Sequence, residues 1–318
     1  MIDLTNARAI MIPEGSVTKI TDSLNRVLWE ASIDYSEPFW IEALDSGVLE
    51  FEQVGDNAPD FTLYWSWDKE TWEEGKISDG LQIPVDFGDK IWFMTSFEGG
   101  QGCWSDSGSN YVHFVSDFNF NIGGNIMSLI EPTFDIYYDT IEETYGLSKV
   151  FMNSRVVDAS ELLLPATNLS SYCYKEMFRG CSRLTTLPVL PASSLSQGCY
   201  YQMFQGCSSL IQVSSNLLPA TTLAPSCYSH IFWDCYNLTT APDLLAPTLV
   251  ELCYQRMFGQ TKVVSVKCLA ISISASNATE LWFNGVTNDS NHTFIKATGV
   301  EWPRSASGIP DQWTVQTI

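Results

Sequence analysis

A unit of 26 to 28 residues that recurs four times in the second half constrains this chain more than any other feature. The copies begin at Leu164, Leu190, Leu218 and Leu244, and each has a Cys-Tyr pair nine residues later. Agreement at many positions across four copies indicates a repeat architecture. One unit buries too few large side chains to offset the entropy of ordering its backbone, so the copies are expected to stack on one another.

Each copy is predicted to contain a strand, a turn and a short helix. Cys173, Met177 and Cys181 lie at i, i+4 and i+8, which places them on one face of a helix. Gly180 is expected to end the helix in a left-handed conformation, and Pro165 keeps the residues before it extended. The predicted core residues of the copies are Cys173, Tyr174, Met177, Phe178, Cys181, Cys199, Tyr200, Met203, Phe204, Cys207, Cys227, Tyr228, Phe232, Cys235, Cys253, Tyr254, Met257 and Phe258.

The repeat motif Cys-Tyr-x-x-Met-Phe-x-x-Cys-x-x-Leu, preceded by Leu-Pro-Ala-Thr-Thr-Leu, resembles the BspA-type leucine-rich repeats of surface proteins from gut bacteria and their phages and prophages. The stretches FNFNIGGNIMSLI, VKCLAISISASNATELWFNGV and SGIPDQWTVQ are similar to the same group. Departures are Thr261 in place of the second Cys of the last copy and Ile231 in place of Met. The resemblance extends from about residue 36 to the end, and it implies an α/β leucine-rich-repeat solenoid with a C-terminal cap.

Residues 36–132 are predicted to form an immunoglobulin-like β-sandwich. Apolar and polar positions alternate in short runs such as Phe39, Ile41 and Ala43, and breaks rich in Gly and Asp separate the runs. The tryptophans of this region either fill its core or stack on sugar rings at its surface. The candidate glycan-contact residues are Trp65, Trp67, Trp72 and Trp104.

Residues 1–35 are predicted to form a separate β segment, with two short strands around Pro13-Glu14-Gly15 and a turn near residues 22–25. The pattern Ile-Pro-x-Gly-x-Val-x-x-Ile followed by Val-Leu-Trp resembles N-terminal pieces of phage virion proteins. The resemblance implies a module for attachment or trimerisation on a capsid or tail. Its candidate docking residues are Ile10, Ile12, Pro13, Val17, Ile20, Val27, Leu28 and Trp29.

The strongly negative charge excludes several classes of partner. Sixteen Lys and Arg against 37 Asp and Glu leave a formal charge of −21, which repels nucleic acids and anionic lipid surfaces. The sequence has neither an uncharged apolar run of 18 residues nor a secretory signal at its start. We therefore expect no nucleic-acid partner and no membrane span.

The nine cysteines are expected to be buried apolar residues rather than disulfides or metal ligands. Two Cys of one copy are eight residues apart, about 12 Å along a helix, whereas a disulfide needs Cα atoms within about 7 Å. The spacing lacks C-x-x-C and nearby His. No cofactor or metal site is predicted. Two loops rich in Asp and Asn, 56–60 and 288–291, hold either a cation or ordinary turns.

No catalytic residues are predicted. The three histidines, His113, His230 and His292, lack a recognisable catalytic setting. Phosphate loops, zinc-protease motifs and nucleophile elbows are missing from the sequence. A glycosidase would require a pair of carboxylates in a cleft, which a sequence alone does not display.

The predicted organisation is an attachment segment at 1–35, the sandwich at 36–132, the repeats with a degenerate first unit at 133–270, and a cap at 271–318. The predicted function is a non-enzymatic phage virion protein, a head or tail fibre or capsid decoration, which binds a host surface or glycan. Expected partners are other virion proteins at the N-terminus, the host ligand and further copies of the chain, as a dimer or trimer. The expected location is the virion surface, and the alternative is a leucine-rich-repeat adhesin on a bacterial cell surface.

Overall fold

The protein is described by a computed structural model covering residues 37–96, 102–107, 109–131 and 139–318, together with the backbone of three strands before residue 31. The contacts between Cα atoms divide the chain into two units, Met1–Tyr35 and Ser36–Ile318. The first boundary of the predicted organisation lies at this division. The further boundaries within the second unit stay a prediction.

The first unit contains three strands where the sequence predicted two. They are β1 Arg8–Met11, β2 Val17–Thr21 and β3 Val27–Glu30, and they form an antiparallel sheet in chain order. Six of the predicted docking residues lie in these strands, and Ile12 and Pro13 lie outside the described residues. The six are Ile10, Val17, Ile20, Val27, Leu28 and Trp29.

The second unit begins with two sheets. Their strands are β4 Phe39–Ala43, β5 Gly47–Val54, β6 Thr62–Ser66, β7 Glu73–Lys76, β8 Gln82–Val85, β9 Lys90–Ser96, β10 Tyr111–Ser116, β11 Phe120–Asn125 and β12 Val156–Leu163. Six strands form one sheet in the order β12-β11-β4-β9-β6-β7, and three form the other in the order β10-β5-β8. The pairing of β11 with β12 is parallel and continues the larger sheet into the repeat region.

Aromatic side chains pack between the two sheets. The ring of Phe51 in β5 lies 6.4 Å from that of Phe93 in β9 and 5.0 Å from that of Phe114 in β10. Phe114 also stacks on Phe151, which in turn stacks on Phe178 of the first predicted copy, each at 5.3 Å. One apolar core therefore extends from the sheets into the repeats.

The predicted α/β leucine-rich-repeat solenoid with a C-terminal cap is wrong. In the described part of the chain the helices are two short 3₁₀ turns, Ile77–Asp79 and Ile126–Leu129, and neither lies in a repeated unit. The segments predicted as helices are series of turns. Most of the predicted strands are reduced to isolated parallel bridges, such as the one between Ser194 and Thr222.

The hydrogen bonds of the backbone explain why the repeated segments are not helical. The amide of Met177 donates to the carbonyl of Tyr174 three residues earlier, at 3.3 Å, whereas the amide of Phe178 donates to Met203 in the next copy, at 2.9 Å. An α-helix would send both amides to carbonyls four residues earlier. Glu176 has a φ of 57°, which a right-handed helix does not contain.

Left-handed residues spaced by four mark six equivalent turn segments. One segment lies in the predicted degenerate first unit, four lie in the predicted copies, and one lies in the region predicted as the cap. The sets are Tyr145, Lys149 and Asn153; Tyr172, Glu176 and Gly180; Gly198, Gln202 and Gly206; Ser226, His230 and Asp234; Leu252, Arg256 and Gln260; and Asn277, Leu281 and Gly285.

The C-terminal region contains a parallel sheet of three strands, β13 Ser265–Cys268, β14 Thr293–Lys296 and β15 Thr314–Thr317. Trp282 of the last turn segment stacks on Trp302 at 5.3 Å and donates from its indole nitrogen to Gly308 at 2.7 Å. No helix in the described residues has the length and hydropathy needed to span a bilayer.

Candidate binding site

The residues predicted as the core of the copies lie in the interior, where each is at most 1% exposed. Their rings form two rows: Tyr174 and Tyr200 stack at 5.7 Å, and Phe178 and Phe204 stack at 5.8 Å. Burial raises the pKa of the Cys235 thiol to about 12, so this thiol stays protonated at neutral pH. These side chains are out of reach of a partner and hold the copies together.

The outward side of the turns carries side chains that differ from copy to copy. Of the twelve residues named below that define this side, Glu176 is buried and the other eleven are partly exposed. Repeat proteins commonly bind partners through such variable positions on a constant scaffold. We call this surface the turn face and define it by Tyr172, Lys175, Glu176, Arg179, Tyr201, Gln202, Gln205, His230, Trp233, Asp234, Gln255 and Arg256.

A buried carboxylate organises one end of the turn face. Glu176 is 5% exposed and accepts Arg179 at 2.8 Å and Lys175 at 3.3 Å. The ammonium group of Lys175 also lies 5.9 Å from the ring of Tyr172 and 5.6 Å from that of Tyr201. These contacts are in the range of cation–π attraction, so the charged side chains and the tyrosines support one another.

An aromatic row continues from this network across the next copies. The rings of Tyr201 and His230 are 5.7 Å apart, as are those of His230 and Trp233, and the guanidinium of Arg256 lies 5.5 Å from the ring of Trp233. Burial, with a further contribution from Arg256, lowers the pKa of His230 to about 4. The imidazole is therefore uncharged at neutral pH and acts as part of an aromatic surface.

A pocket of about 240 Å³ opens beside the turn face. The left-handed positions of two adjacent copies are glycines, Gly180 and Gly206, and a Cβ atom on Gly206 would have no neighbour closer than the backbone of Gly180 at 3.6 Å. Polar side chains of four different turn segments surround this space. The lining residues are Met152, Asn153, Arg179, Gly180, Gln205, Gly206 and Asp234.

A second pocket of about 280 Å³ lies among the residues that precede and follow the turns, from Ser160 to Leu217. Leu187, Pro188 and Val189 supply much of its wall, and it is lined by no charged side chain. Its polar groups are uncharged hydroxyls and amides, so it offers no charged side chain to orient a ligand. The pocket beside the turn face is the better candidate for a specific site.

Two of the four tryptophans predicted to contact glycans belong to the core. Trp104 is fully buried, stacks on Phe114 at 5.0 Å and donates its indole nitrogen to Leu129 at 2.7 Å. Trp65 is 8% exposed. A sugar cannot stack on either ring in this structure, so the prediction is wrong for Trp104 and Trp65. Trp67 is 41% exposed and Trp72 is partly exposed.

The set of predicted glycan-contact residues does not include the partly exposed Trp92. Its indole nitrogen donates to Glu37 at 3.1 Å, and Lys69 and Lys90 lie 4.8 and 5.3 Å from its ring. The alternation along β9 could have identified Trp92 from the sequence, since Lys90, Trp92 and Met94 share one face of the strand. Glu37 at the centre of this cluster is thus paired with Trp92, Lys69 and Lys90.

Each of the three histidines is held by a polar contact to a neighbouring group. His113 is bonded at its two ring nitrogens to the Met152 carbonyl and to Glu52, each at 2.9 Å. His230 contacts the hydroxyl of Ser229 at 2.8 Å, but Ser229 is fully buried and cannot reach a substrate. His292 contacts Asp289 at 2.7 Å.

The two loops considered for cations have structural uses for their oxygens. Asp60 accepts the amide of Ser78 at 3.1 Å, and Asp289 accepts the amide of Asn291 at 2.9 Å. Over the described ranges, no group of three or more His, Cys, Asp or Glu is arranged to hold a metal ion. The geometry is that of turns closed by side chains.

Comparison with known protein families, with curated proteins and with solved structures finds no match for this chain.

Proposed function

We propose that this chain is a non-enzymatic bacteriophage virion protein, a head or tail fibre or a capsid decoration, which attaches the particle to a host surface or its glycans through the turn face. The observation that carries the attachment role is the contrast between the two sides of the turns. Interior side chains are nearly constant among the copies, while the outward side chains vary and combine aromatic, cationic and amide groups. A constant interior with a variable exterior is the arrangement of a binding scaffold.

The direction of the shifted carboxyl pKa values also favours a binding role over hydrolysis. The described carboxyl groups with a shifted pKa are Asp68, Asp158 and Asp289, and in each one hydrogen bonds to the carboxylate lower the pKa. The general acid of a glycosidase needs a raised pKa instead. The pocket beside the turn face is lined by one carboxylate, that of Asp234, rather than by a pair.

The virion location rests on the resemblance of the N-terminal pattern to phage virion proteins and on the resemblance of the repeat motif to BspA-type repeats. We propose that residues 1–35 bind other virion proteins and that copies of the chain associate as a dimer or trimer. The net charge of −21 suits a surface-displayed protein, because it keeps an aromatic-rich chain dispersed. The alternative is a bacterial cell-surface adhesin that uses the same turn face.

Purified phage particles test the location. We expect mass spectrometry to find the full chain at a fixed copy number per particle and antibody labelling to place it on the surface. Removal of residues 1–30 is expected to abolish incorporation while the remaining chain keeps its buried cysteines protected. Detection of the protein on bacterial cells and not in particles would favour the adhesin. Incorporation that is unchanged after the deletion would refute the docking role.

Particles that carry altered protein test attachment. The double variant Tyr201→Ala and Trp233→Ala removes two partly exposed rings of the turn face, and we expect binding of particles to host cells to fall by about tenfold or more. The matched control is Phe87→Ala and Ile271→Ala, which removes two exposed apolar side chains outside the turn face and outside the pocket. Equal attachment by both double variants would contradict the assignment of the turn face.

A further inference from the structure

We propose that the pocket between Asn153 and Asp234, beside the turn face, is a subsite for one uncharged sugar ring. This inference rests on the proposed attachment function and names the class of ligand at that site. Ligand pockets that hold drug-sized molecules are about 300 to 1,000 Å³, and this one is about 240 Å³. It therefore suits a single ring at the end of a glycan.

Glycines create the space for this ring. The first four of the six equivalent left-handed positions are Asn153, Gly180, Gly206 and Asp234, so the two glycines stand between Asn153 and Asp234. A Cβ atom on Gly206 would meet only the backbone of Gly180, at 3.6 Å. A Cβ atom on Gly180 would overlap the amide oxygen of Asn153 at 2.1 Å, so the Asn153 side chain covers Gly180. The floor of the pocket is thus Gly206, and its walls are polar side chains.

The walls supply the groups that bind vicinal hydroxyls. Asp234 offers a carboxylate, Asn153 and Gln205 offer amides, and Arg179 offers guanidinium donors. The Oε1 atom of Gln205 is buried and has no hydrogen-bond partner in the described structure. A buried polar atom without a partner is unfavourable, and a rotation of the Gln205 side chain would bring this atom to a sugar hydroxyl in the pocket.

An exposed aromatic ring stands next to the carboxylate. Tyr236 follows Asp234 by two residues and is 52% exposed. A hydrogen bond with the Asp234 carboxylate raises the pKa of the Tyr236 hydroxyl, so the ring is tied to the edge of the pocket. Aromatic rings beside carboxylate and amide groups match a sugar, which has an apolar C–H face and a polar rim.

The charges favour an uncharged sugar over an acidic one. The guanidinium of Arg179 is already paired with Glu176 at 2.8 Å, and the other charged side chain of the pocket lining is the carboxylate of Asp234. A carboxylated or sulfated sugar would meet this carboxylate and the negative charge of the whole chain, −21. Like charges at this range are repulsive.

The test is a titration of the full purified chain with methyl glycosides of galactose, N-acetylgalactosamine, fucose and mannose, and with sialic acid and sulfated galactose, followed by ligand-observed NMR. We expect at least one neutral glycoside to bind and the acidic sugars to bind at least about tenfold more weakly. Binding of an acidic sugar as tight as that of every neutral one would overturn the proposal.

Matched variants locate the binding. Gly206→Asn places a side chain on the pocket floor at a left-handed position that Asn tolerates, and we expect it to weaken sugar binding by about tenfold or more. Gly285→Asn makes the same change in the last turn segment, where only the end of the Gln260 side chain must move, and binding should persist. Asp234→Asn should weaken binding, and Asp311→Asn, at an exposed position outside the pocket, should not.

The outcomes separate this inference from the proposed function. If particles attach to cells through the turn face but no neutral glycoside binds, or if Gly206→Asn binds as well as wild type, the sugar subsite is wrong and attachment stands. If the purified chain binds a neutral glycoside with the expected variant pattern but is missing from particles, the subsite stands and the virion location fails.

Discussion

At the scale of single residues, the left-handed positions decide how the repeats are built. Fifteen non-glycine residues in the described part of the chain have positive φ, and each such residue is strained relative to glycine by roughly 1 to 2 kcal/mol. Twelve of them, in the first five turn segments, donate their amides to carbonyls of the next segment, and these hydrogen bonds hold them in place. Glycine already occupies several equivalent positions, which relieves the strain there and, at Gly206, opens the pocket.

Gln202→Gly is expected to stabilise the protein, because Gln202 has a φ of 56°. The relief of left-handed strain outweighs the extra entropy of glycine in the unfolded chain, for a net gain of about 0.5 to 1 kcal/mol. The free energy of unfolding from denaturant titration measures this. Gln212→Gly, at an exposed residue without positive φ, is the control and should destabilise by about 0.5 to 1 kcal/mol. A loss of stability in both variants would contradict the assigned backbone.

His230 is expected to make stability depend on pH in the acid range. Its pKa is about 4 in the folded protein and about 6.5 in an unfolded chain. The neutral form therefore stabilises the fold above pH 6.5, and this contribution is lost as the pH falls toward 4. The loss is at most about 3 kcal/mol and is smaller in practice because the ring is partly exposed.

The measurement compares wild type with His230→Gln. Between pH 6.5 and 4 the free energy of unfolding should fall more in wild type than in the variant. Gln260→Asn, a change without a titratable group, should keep the pH dependence of wild type. Parallel curves for wild type and His230→Gln would show that His230 does not titrate as described.

At the scale of elements, the unit of structure is the turn segment together with its backbone hydrogen bonds to the next copy. A spacing of four places Cys173 and Met177 on one face of a helix, and it also places them on one side of a chain of four-residue turns. The sequence pattern therefore could not distinguish the two. The rows of stacked tyrosine and phenylalanine rings run across the turns and bind the segments into one core.

Tyr200→Phe is expected to stabilise the protein by a change within the row of stacked tyrosine rings. The hydroxyl of Tyr200 is buried without a hydrogen-bond partner in the described part of the chain, which costs about 1 to 3 kcal/mol. Removal of the oxygen keeps the ring stacked between Tyr174 and Tyr228, and the free energy of unfolding should rise by about 1 kcal/mol. Phe204→Ala, in the parallel row, should instead lower it by about 3 to 5 kcal/mol. A destabilised Tyr200→Phe would indicate a buried water on the hydroxyl.

At the scale of the whole molecule, one apolar core joins the sheets to the repeats, so residues 36–318 are expected to unfold together. The reactivity of the cysteine thiols measures whether these residues unfold together. Eight of the nine are buried and Cys103 is partly exposed, and burial raises the pKa of the Cys173 and Cys181 thiols to about 12. Protonated, inaccessible thiols do not react.

Alkylation with iodoacetamide at pH 8 is expected to modify at most Cys103 in the folded protein. In denaturant all nine cysteines should react, and at intermediate concentrations the eight buried ones should become reactive together. Mass spectrometry of the intact chain counts the modifications. Stepwise reaction, with Cys253 and Cys268 modified well before Cys173, would show that the repeats open separately from the sheets.

The sequence alone determined the period of the repeat, the side chains that fill the interior and the left-handed state of Gly180, because apolar spacing and glycine chemistry are local properties. It could not determine the backbone path, since half of the amides in each turn bond to a copy about 26 residues away. The same holds for Trp104, which lies outside the strands and is buried by its packing on Phe114, and for the pocket. Asn153, Gly180, Gly206 and Asp234 come together only when four copies stack, so only the tertiary structure decided that a site exists there.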